Sequence, residues 1–192
     1  MSKIILASGS PRRKEILTSL GIKFDIITSN TKEKFEEDES PYKVACDLAL
    51  EKAKDVSQKI NENAIIIAAD TLVFQDNILG KPQNNSDAFK MLKSLSGNQH
   101  EVVTGVTLFD VLSKKEITDF EVTKVFFREL DDDEIEKYIA TGEPMDKAGG
   151  YGIQGKASLF IEKIDGDYFN VVGLPIYKLG SMLKKHFNIS LL

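Results

Sequence analysis

The amino-acid sequence predicts an α/β protein whose sheet contains both parallel and antiparallel strands. Strand-like and helix-like segments alternate in the first half of the chain, which is typical of parallel βαβ units. Two long strand-like segments, 102–110 and 118–128, then flank the sequence VLSKKE as in a hairpin. Continuous Ile/Leu runs at 4–6 and 65–67 indicate strands that are covered on both faces. Together these observations predict a mixed twisted sheet with flanking helices.

The individual elements follow from the spacing of apolar residues and from boundary signals. We expect strands at 3–7, 24–28, 64–69, 102–110, 118–128 and 157–164. We expect helices at 11–20, 41–59, 86–95, 132–141 and 175–187. Pro11 after Ser10 marks the start of the first helix, and Ser86 and Pro175 mark the starts of two others.

Composition bounds the class of protein. The 192 residues are enough for one substantial domain, and we treat 1–192 as a single domain. The net charge of −5 argues against a general nucleic-acid-binding protein. The one cysteine, Cys46, allows no internal disulfide and no thiolate zinc cluster, which fits a reducing compartment. No apolar run is long enough for a transmembrane helix or a signal peptide, so we expect a cytoplasmic protein with no membrane partner.

The sequence LASGSPRRKEIL presents a conflict at the start of the first helix. Arg12, Arg13 and Lys14 occupy its first turn, although the helix dipole favours anions there. A bound phosphate would resolve the conflict, because helix N-termini and guanidinium groups both bind phosphate oxygens. A solvated basic turn is the alternative.

Further candidates follow a buried strand and a glycine-containing loop. The strand at 64–69 runs into Asp70 and Thr71, and a carboxylate at the end of an apolar strand is a candidate general base or metal ligand. A loop-capping role is the alternative for Asp70. Lys81 lies in LGKP, which is not a Walker A loop, and read alone it is a turn lysine.

The segment EPMDKAGGYGIQG contains a literal G-x-G-x-x-G, yet a β-rich segment follows it rather than a helix. This context excludes a dinucleotide-binding fingerprint and suggests a loop whose backbone approaches a ligand or another strand closely. The side chains that the loop offers are Asp146, Lys147, Tyr151 and Gln154. Gln154 could read a base edge and Tyr151 could stack on a base; a purely structural turn is the alternative.

The two histidines exclude one kind of active site, whereas the cations and carboxylates favour phosphoryl chemistry. We expect His100 and His186 near helix C-termini, and no Ser-His-Asp triad can be assembled from them. Cations that grip phosphates, together with carboxylates at Glu33 and Asp70, are typical of phosphoryl chemistry with a hard metal ion.

An ordered set of motifs resembles the Maf family of nucleotide pyrophosphatases. The motifs are LASGSPRRKEIL, EKAK, AADT, GKP, LSGNQHEVVTGV, EPMDKAGGYGIQG and VVGLP, and they extend from residue 4 to about residue 180. The resemblance implies a fold similar to inosine triphosphate pyrophosphatases, with two lobes around a deep cleft, often as a homodimer. It also implies hydrolysis of a nucleoside triphosphate between its α and β phosphates with Mg²⁺ or a similar cation.

The resemblance also implies roles for particular residues. GGYGIQG resembles the branch that acts on dTTP and UTP, and modified pyrimidine nucleotides are possible substrates. The implied general base is Asp70, and the implied specificity residues are Arg12, Thr71 and Gln154. The implied phosphate and metal contacts are Ser8, Arg12, Arg13, Glu33, Lys52, Lys81, Asp146 and Lys147, with Glu33 and Asp70 as metal ligands. The rival interpretations are a nucleotide-sensing regulatory protein linked to cell division and a general phosphatase.

Overall fold

The computed structural model describes residues 2–31 and 39–191. In these ranges the strands are β1 (Lys3–Leu6), β2 (Asp25–Ile26), β3 (Ala64–Phe74), β4 (Ile78–Leu79), β5 (Gln99–Asp110), β6 (Glu116–Phe127) and β7 (Ile161–Asp165). The helices are α1 (Pro11–Ser19), α2 (Pro41–Ser57), α3 (Asn85–Leu95), α4 (Asp132–Ile139), α5 (Tyr168–Val172) and α6 (Ile176–Phe187). Three short 3₁₀ helices lie at Glu143–Asp146, Ala148–Gly150 and Lys156–Phe160. None of the helices in the described ranges has the length and apolar character needed to cross a membrane.

The strands form one mixed sheet in the order β2-β1-β3-β5-β6-β7, with β4 also paired to β3. β1 runs parallel to both β2 and β3, and the other pairs are antiparallel. The predicted mixed α/β sheet with a β5–β6 hairpin is therefore confirmed.

β3 loses its neighbouring strand on one side part of the way along its length. β1 pairs with Ala64–Ile67, and β4 pairs with Val73 and Phe74 on the same side. Asp70 and Thr71 lie between these pairings. The prediction that this strand ends before Asp70 is wrong, because β5 pairs with β3 from Ile65 through Phe74. It is β1 that ends here, and its end opens a cleft beside the middle of β3.

Two lobes pack at opposite ends of the long strands. One core includes Leu6 and Leu17 with the buried face of α6. The other joins α3 and α4 to the far ends of β5 and β6, around Leu92 and Phe127. Helix α2 covers the opposite face of the sheet in the first lobe. The expectation of two lobes around a cleft is confirmed.

Helix α2 lies unusually close to the sheet at Gly105. A Cβ at this glycine would stand 2.2 Å from the backbone oxygen of Ala45. Only a residue without a side chain fits there, because real Cβ atoms do not approach a backbone oxygen so closely. The close approach holds α2 over β3 and β5, so that Lys52 on its later turns reaches Asp70.

Three further predictions are wrong in detail. Residues 157–160 form a 3₁₀ helix rather than strand, and Leu159 is 73% exposed. The predicted strand at 24–28 is reduced to two residues. Helix α5 is absent from the predictions; it begins after Asp167, whose side chain accepts from the Phe169 N–H, and ends at Gly173 in the left-handed region.

Candidate active site

A cavity of about 470 Å³ lies in the cleft between the lobes. Among its lining residues are all ten candidates that fall in the described part of the chain: Ser8, Arg12, Arg13, Lys52, Asp70, Thr71, Lys81, Asp146, Lys147 and Gln154. Glu33 lies outside the described residues. The structure thus brings the candidates from five separate segments into one place, while the role of each stays a prediction.

Asp70 is a buried carboxylate that forms an ion pair with Lys52. The Asp70 side chain is 6% exposed and the Lys52 side chain 15% exposed. A buried carboxylate beside an ammonium group is favoured in its ionised form, because the opposite charge compensates for lost hydration. An ionised carboxylate can accept a proton from water or bind a cation, which is the chemistry predicted for Asp70.

Asp70 and Thr71 are adjacent, and they project to opposite faces of the sheet, as successive strand residues do. Asp70 meets Lys52 from α2 on one face. Thr71 meets Arg13 from α1 on the other, where Arg13 Nη2 donates to Thr71 Oγ1 over 3.0 Å. Side chains from both faces of the sheet therefore line the cleft beside the part of β3 that lies between its pairings with β1 and β4.

The start of α1 forms the wall of the cavity next to β1. Ser10 takes the N-cap position without a side-chain cap bond, and its N–H donates to Ser8 Oγ over 3.2 Å. The first turn contains no acidic residue. Arg12 and Arg13 line the cavity, whereas Lys14 lines a separate surface groove near the C-terminus. Two of the three puzzling cations thus converge on the cleft.

The glycine-rich loop forms the wall contributed by the second lobe. Gly149 has a φ of 67°, its N–H donates to the Gly80 carbonyl over 3.0 Å, and a Cβ there would lie 2.9 Å from Val73 Cγ1. The predicted close approach of this loop to another strand is confirmed. Lys147 Nζ donates to the Glu143 carbonyl and to Asp146 Oδ1, over 2.7 and 2.6 Å, and the bond lowers the pKa of Asp146.

Gln154 and Lys81 are exposed side chains at the cavity. The Gln154 amide makes no hydrogen bond to any residue in the described ranges, so both its donor and its acceptor are available to a ligand. An amide offers one of each, which allows it to pair with a matching donor–acceptor edge of a nucleobase.

Tyr151 forms part of the cavity wall and is fixed from behind by His100. Tyr151 Oη lies 2.6 Å from His100 Nε2, and both rings meet Phe127 edge-on. Burial raises the pKa of Tyr151 and lowers the pKa of His100 to about 4. The expectation that His100 belongs to a helix C-terminus is wrong, because His100 lies inside β5. Its low pKa leaves the ring neutral at pH 7. Packing on the Tyr151 ring makes it a fixed wall rather than a free stacking platform.

The cavity is cationic although the protein is acidic overall. Its lining includes five cationic side chains and two carboxylates, whereas the chain carries a net charge of −5. Such a local excess of positive charge favours a polyanion. No group of three or more His, Cys, Asp or Glu side chains within residues 2–31 and 39–191 could hold a metal ion by itself.

Sequence reasoning missed the backbone and core groups that hold Arg13. Its Nε donates to the Gly173 carbonyl over 2.7 Å, and its Nη1 donates to Ser8 Oγ over 3.2 Å. Thr71 Oγ1 in turn lies 2.9 Å from Thr104 Oγ1. The sequence does contain a signal for α5: a capping residue, Asp167, lies six residues before Gly173, which ends the helix. Recognising α5 would have placed the Gly173 carbonyl at its C-terminal end.

Sequence comparisons with known proteins identify the family of this chain. The family profile described as Maf-like protein matches residues 3–186. A protein named dTTP/UTP pyrophosphatase from Alkaliphilus oremlandii (strain OhILAs) is 56% identical over 192 residues, which is 100% of both chains. One of the same name from Clostridioides difficile (strain 630) is 49% identical over 189 residues, covering 98% of this chain and 97% of its own.

Among solved structures, the Staphylococcus aureus Ham1 protein is 14% identical with a TM-score of 0.45, covering 65% of this chain and 71% of its own. The profile match along almost the whole sequence, together with the full-length identity to the two relatives, shows that the chain belongs to the Maf-like family.

Proposed function

We propose that this protein hydrolyses dTTP and UTP, and modified pyrimidine nucleotides of the same base-edge pattern, to the nucleoside monophosphate and pyrophosphate. The observation that carries the proposal is the cationic cleft, which combines a buried carboxylate with an available amide. The relatives named dTTP/UTP pyrophosphatase support the choice of substrate, because they match this chain along its full length.

The cationic side chains would hold the triphosphate. Arg12 and Arg13 project from the helix start, and Lys81 and Lys147 approach from the second lobe. Guanidinium and ammonium groups donate charge-assisted hydrogen bonds to phosphate oxygens. The same groups would offset the negative charge that collects on pyrophosphate as it leaves.

Asp70 would act on the attacking water. In the proposed step, water oxygen bonds to the α phosphorus, the bond from that phosphorus to the α–β bridging oxygen breaks, and pyrophosphate departs with the electron pair. The proton released by the water passes to the Asp70 carboxylate. Lys52 would pair with this carboxylate and orient it until the water is bound.

A divalent cation, Mg²⁺ for preference, fits the donor set. Mg²⁺ is commonly held by one or two carboxylates together with substrate phosphates and waters, so the lack of an all-protein cluster is compatible with it. Asp70 would supply one ligand, and Glu33, outside the described residues, is the predicted second. When bound, the cation would offset charge on the triphosphate.

Gln154 would read the pyrimidine. Uracil and thymine share a carbonyl beside an N–H, and the amide can pair with both groups. Cytosine presents an amino group and an unprotonated nitrogen in the corresponding positions. A site that relies on such hydrogen bonds discriminates strongly, because the mismatched polar groups stay unpaired. We further propose a cytoplasmic homodimer, as the family resemblance implies.

The test is to incubate the purified protein with Mg²⁺ and, separately, dTTP, UTP, CTP, GTP or 7-methyl-GTP, and to identify products by ³¹P NMR. We expect monophosphate and pyrophosphate from dTTP and UTP alone, and no turnover after EDTA is added. Orthophosphate as product would indicate a phosphatase. Intact nucleotide with tight binding would indicate the nucleotide sensor instead.

A further inference from the structure

A closed ring of hydrogen bonds connects Arg13 to the core of the protein. Arg13 Nη2 donates to Thr71 Oγ1, which lies 2.9 Å from Thr104 Oγ1. Thr104 Oγ1 donates to the backbone carbonyl of Asn170 over 3.0 Å. The same backbone carbonyl accepts from the Gly173 N–H over 3.0 Å. The Gly173 carbonyl accepts from Arg13 Nε and closes the ring.

The direction of each bond in this ring follows from the number of protons available. A threonine hydroxyl has one proton to donate and two lone pairs that accept. The Asn170 carbonyl can only accept, so the Thr104 proton is committed to it. Thr104 must then accept from Thr71, and the Thr71 proton is committed to Thr104. Thr71 Oγ1 is left with lone pairs alone, and one of them receives Arg13 Nη2–H.

The far side of the ring is rigid. Thr104 and Asn170 are both fully buried. The Asn170 Nδ2 group donates to the Val102 carbonyl and to Thr123 Oγ1, over 2.9 and 3.0 Å. Gly173 has a φ of 118°, and a Cβ there would approach Thr71 Oγ1 to 3.3 Å. These two bonds tie the Asn170 side chain to β5 and β6 behind the ring, so the Asn170 backbone carbonyl is held in place for the Thr104 hydroxyl.

We propose that Thr104, which is buried beneath Thr71, is a positioning residue for the proposed triphosphate hydrolysis. It acts through Thr71: by holding the Thr71 proton, it makes that hydroxyl a permanent acceptor for Arg13 and fixes the guanidinium in the cleft. This inference rests on the proposed function for its kinetic consequences, although the bond directions do not depend on it.

One consequence concerns Thr71 itself. With its proton committed to Thr104, Thr71 cannot donate a hydrogen bond to a carbonyl of the base. Its predicted influence on specificity therefore passes through the placement of Arg13, or through accepting a bond from the substrate.

The kinetic test compares two isosteric substitutions on the same strand. Thr104→Val removes the hydroxyl beneath Thr71, and Thr107→Val removes an equally buried hydroxyl that bonds Thr118 across 2.8 Å. We expect Thr104→Val to lower kcat/KM for dTTP about tenfold, because a displaced Arg13 weakens the contacts with the bound triphosphate and with the departing pyrophosphate. Thr107→Val and Thr104→Ser should stay within about twofold of the wild type. If Thr104→Val does not fold, Thr104→Ala takes its place.

A second readout does not require turnover. The Arg13 Nε–H should give a slowly exchanging ¹⁵N NMR signal in the wild type and in Thr107→Val, and a rapidly exchanging one in Thr104→Val. Affinity for inorganic tripolyphosphate, measured by calorimetry, should fall about tenfold in Thr104→Val alone. If the wild type does not hydrolyse dTTP, the proposed function is wrong. The NMR exchange rate and the tripolyphosphate affinity would still test whether Thr104 positions Arg13. Identical signals and affinities in Thr104→Val and Thr107→Val would overturn the inference.

Discussion

At the scale of single residues, adjacent positions on β3 take different parts in the site. Asp70 faces α2 and pairs with Lys52, whereas Thr71 faces α1 and accepts from Arg13. The residue types were predictable, because a polar pair at the end of an Ile-rich run stands out. The pairing with Lys52 and the opposite facing of Thr71 were not, since they depend on β3 continuing past Asp70.

His100 provides a residue-scale prediction about pH. Its folded-state pKa of about 4 lies below the ordinary value of 6.5, so the unfolded chain binds more protons between these values. Stability should therefore fall as pH decreases from about 6.5 to about 4, with His100 contributing about 3 kcal/mol to the loss. The free energy of unfolding, measured with urea across this pH range, should depend less steeply on pH in His100→Gln than in the wild type. His186→Gln, which replaces the other histidine of the chain in the last turn of α6, serves as the control and should follow the wild type. Parallel curves for all three proteins would refute the assignment.

Gln154 carries a prediction about base discrimination. Removing its amide in Gln154→Ala should reduce the ratio of kcat/KM for UTP over CTP by at least about tenfold, because the base edge loses its matching partner. Steady-state assays with both nucleotides measure the ratio. Gln58→Ala, at an exposed position after α2, serves as the control. An equal loss on both nucleotides would show that Gln154 does not read the base.

At the scale of elements, the contact of α2 with β5 sets the distance between Lys52 and Asp70. Gly105→Ala should lower the free energy of unfolding by about 3 kcal/mol, because a Cβ 2.2 Å from the Ala45 oxygen forces the helix away from the sheet. It should also reduce activity. Gly180→Ala, inside α6 with its nearest contact at 3.7 Å, should instead stabilise by up to about 1 kcal/mol. Chemical denaturation measures both, and a neutral Gly105→Ala would contradict the proposed contact.

The elements also show what the sequence could and could not predict. The long helices α2 and α3, which have clear apolar faces, were predicted to within two residues. The predicted cap of α3 is wrong: Asn84, not Ser86, is the N-cap, and its side chain accepts from the Asp87 N–H. Local patterns failed where tertiary pairing decides the outcome: β3 extends to Phe74 because β5 lies alongside it. They failed again at α5, whose Tyr-Phe-Asn-Val-Val sequence lacks helix propensity and is held by its caps. All ten candidate residues that can be placed were found from motifs. Thr104 and Gly105 also lie in one of those motifs, LSGNQHEVVTGV, but their contacts with Thr71 and Ala45 are long-range and could not be predicted from it. The contacts of Asn170 are long-range as well.

At the scale of the whole molecule, an acidic protein encloses a cationic cleft. Added salt should screen this attraction, so kcat/KM for dTTP should fall several-fold between about 0.05 M and about 0.5 M NaCl. Lys81→Gln should flatten the dependence, because it removes a cation from the cavity. Lys90→Gln makes the same change of charge on the exposed side of α3 and should leave the slope unaltered. A salt-independent wild type would argue against electrostatic capture of the substrate.

We propose that hydrolysis in this cleft depends on Asp70. The most direct measurement is turnover and binding of dTTP by Asp70→Asn, with Asp76→Asn in the exposed β3–β4 turn as the control. We predict that Asp70→Asn lowers kcat by about a thousandfold, since the amide cannot take the proton from water, and leaves the dTTP dissociation constant within about threefold. A folded Asp70→Asn variant that retains kcat within tenfold of the wild type would contradict the account.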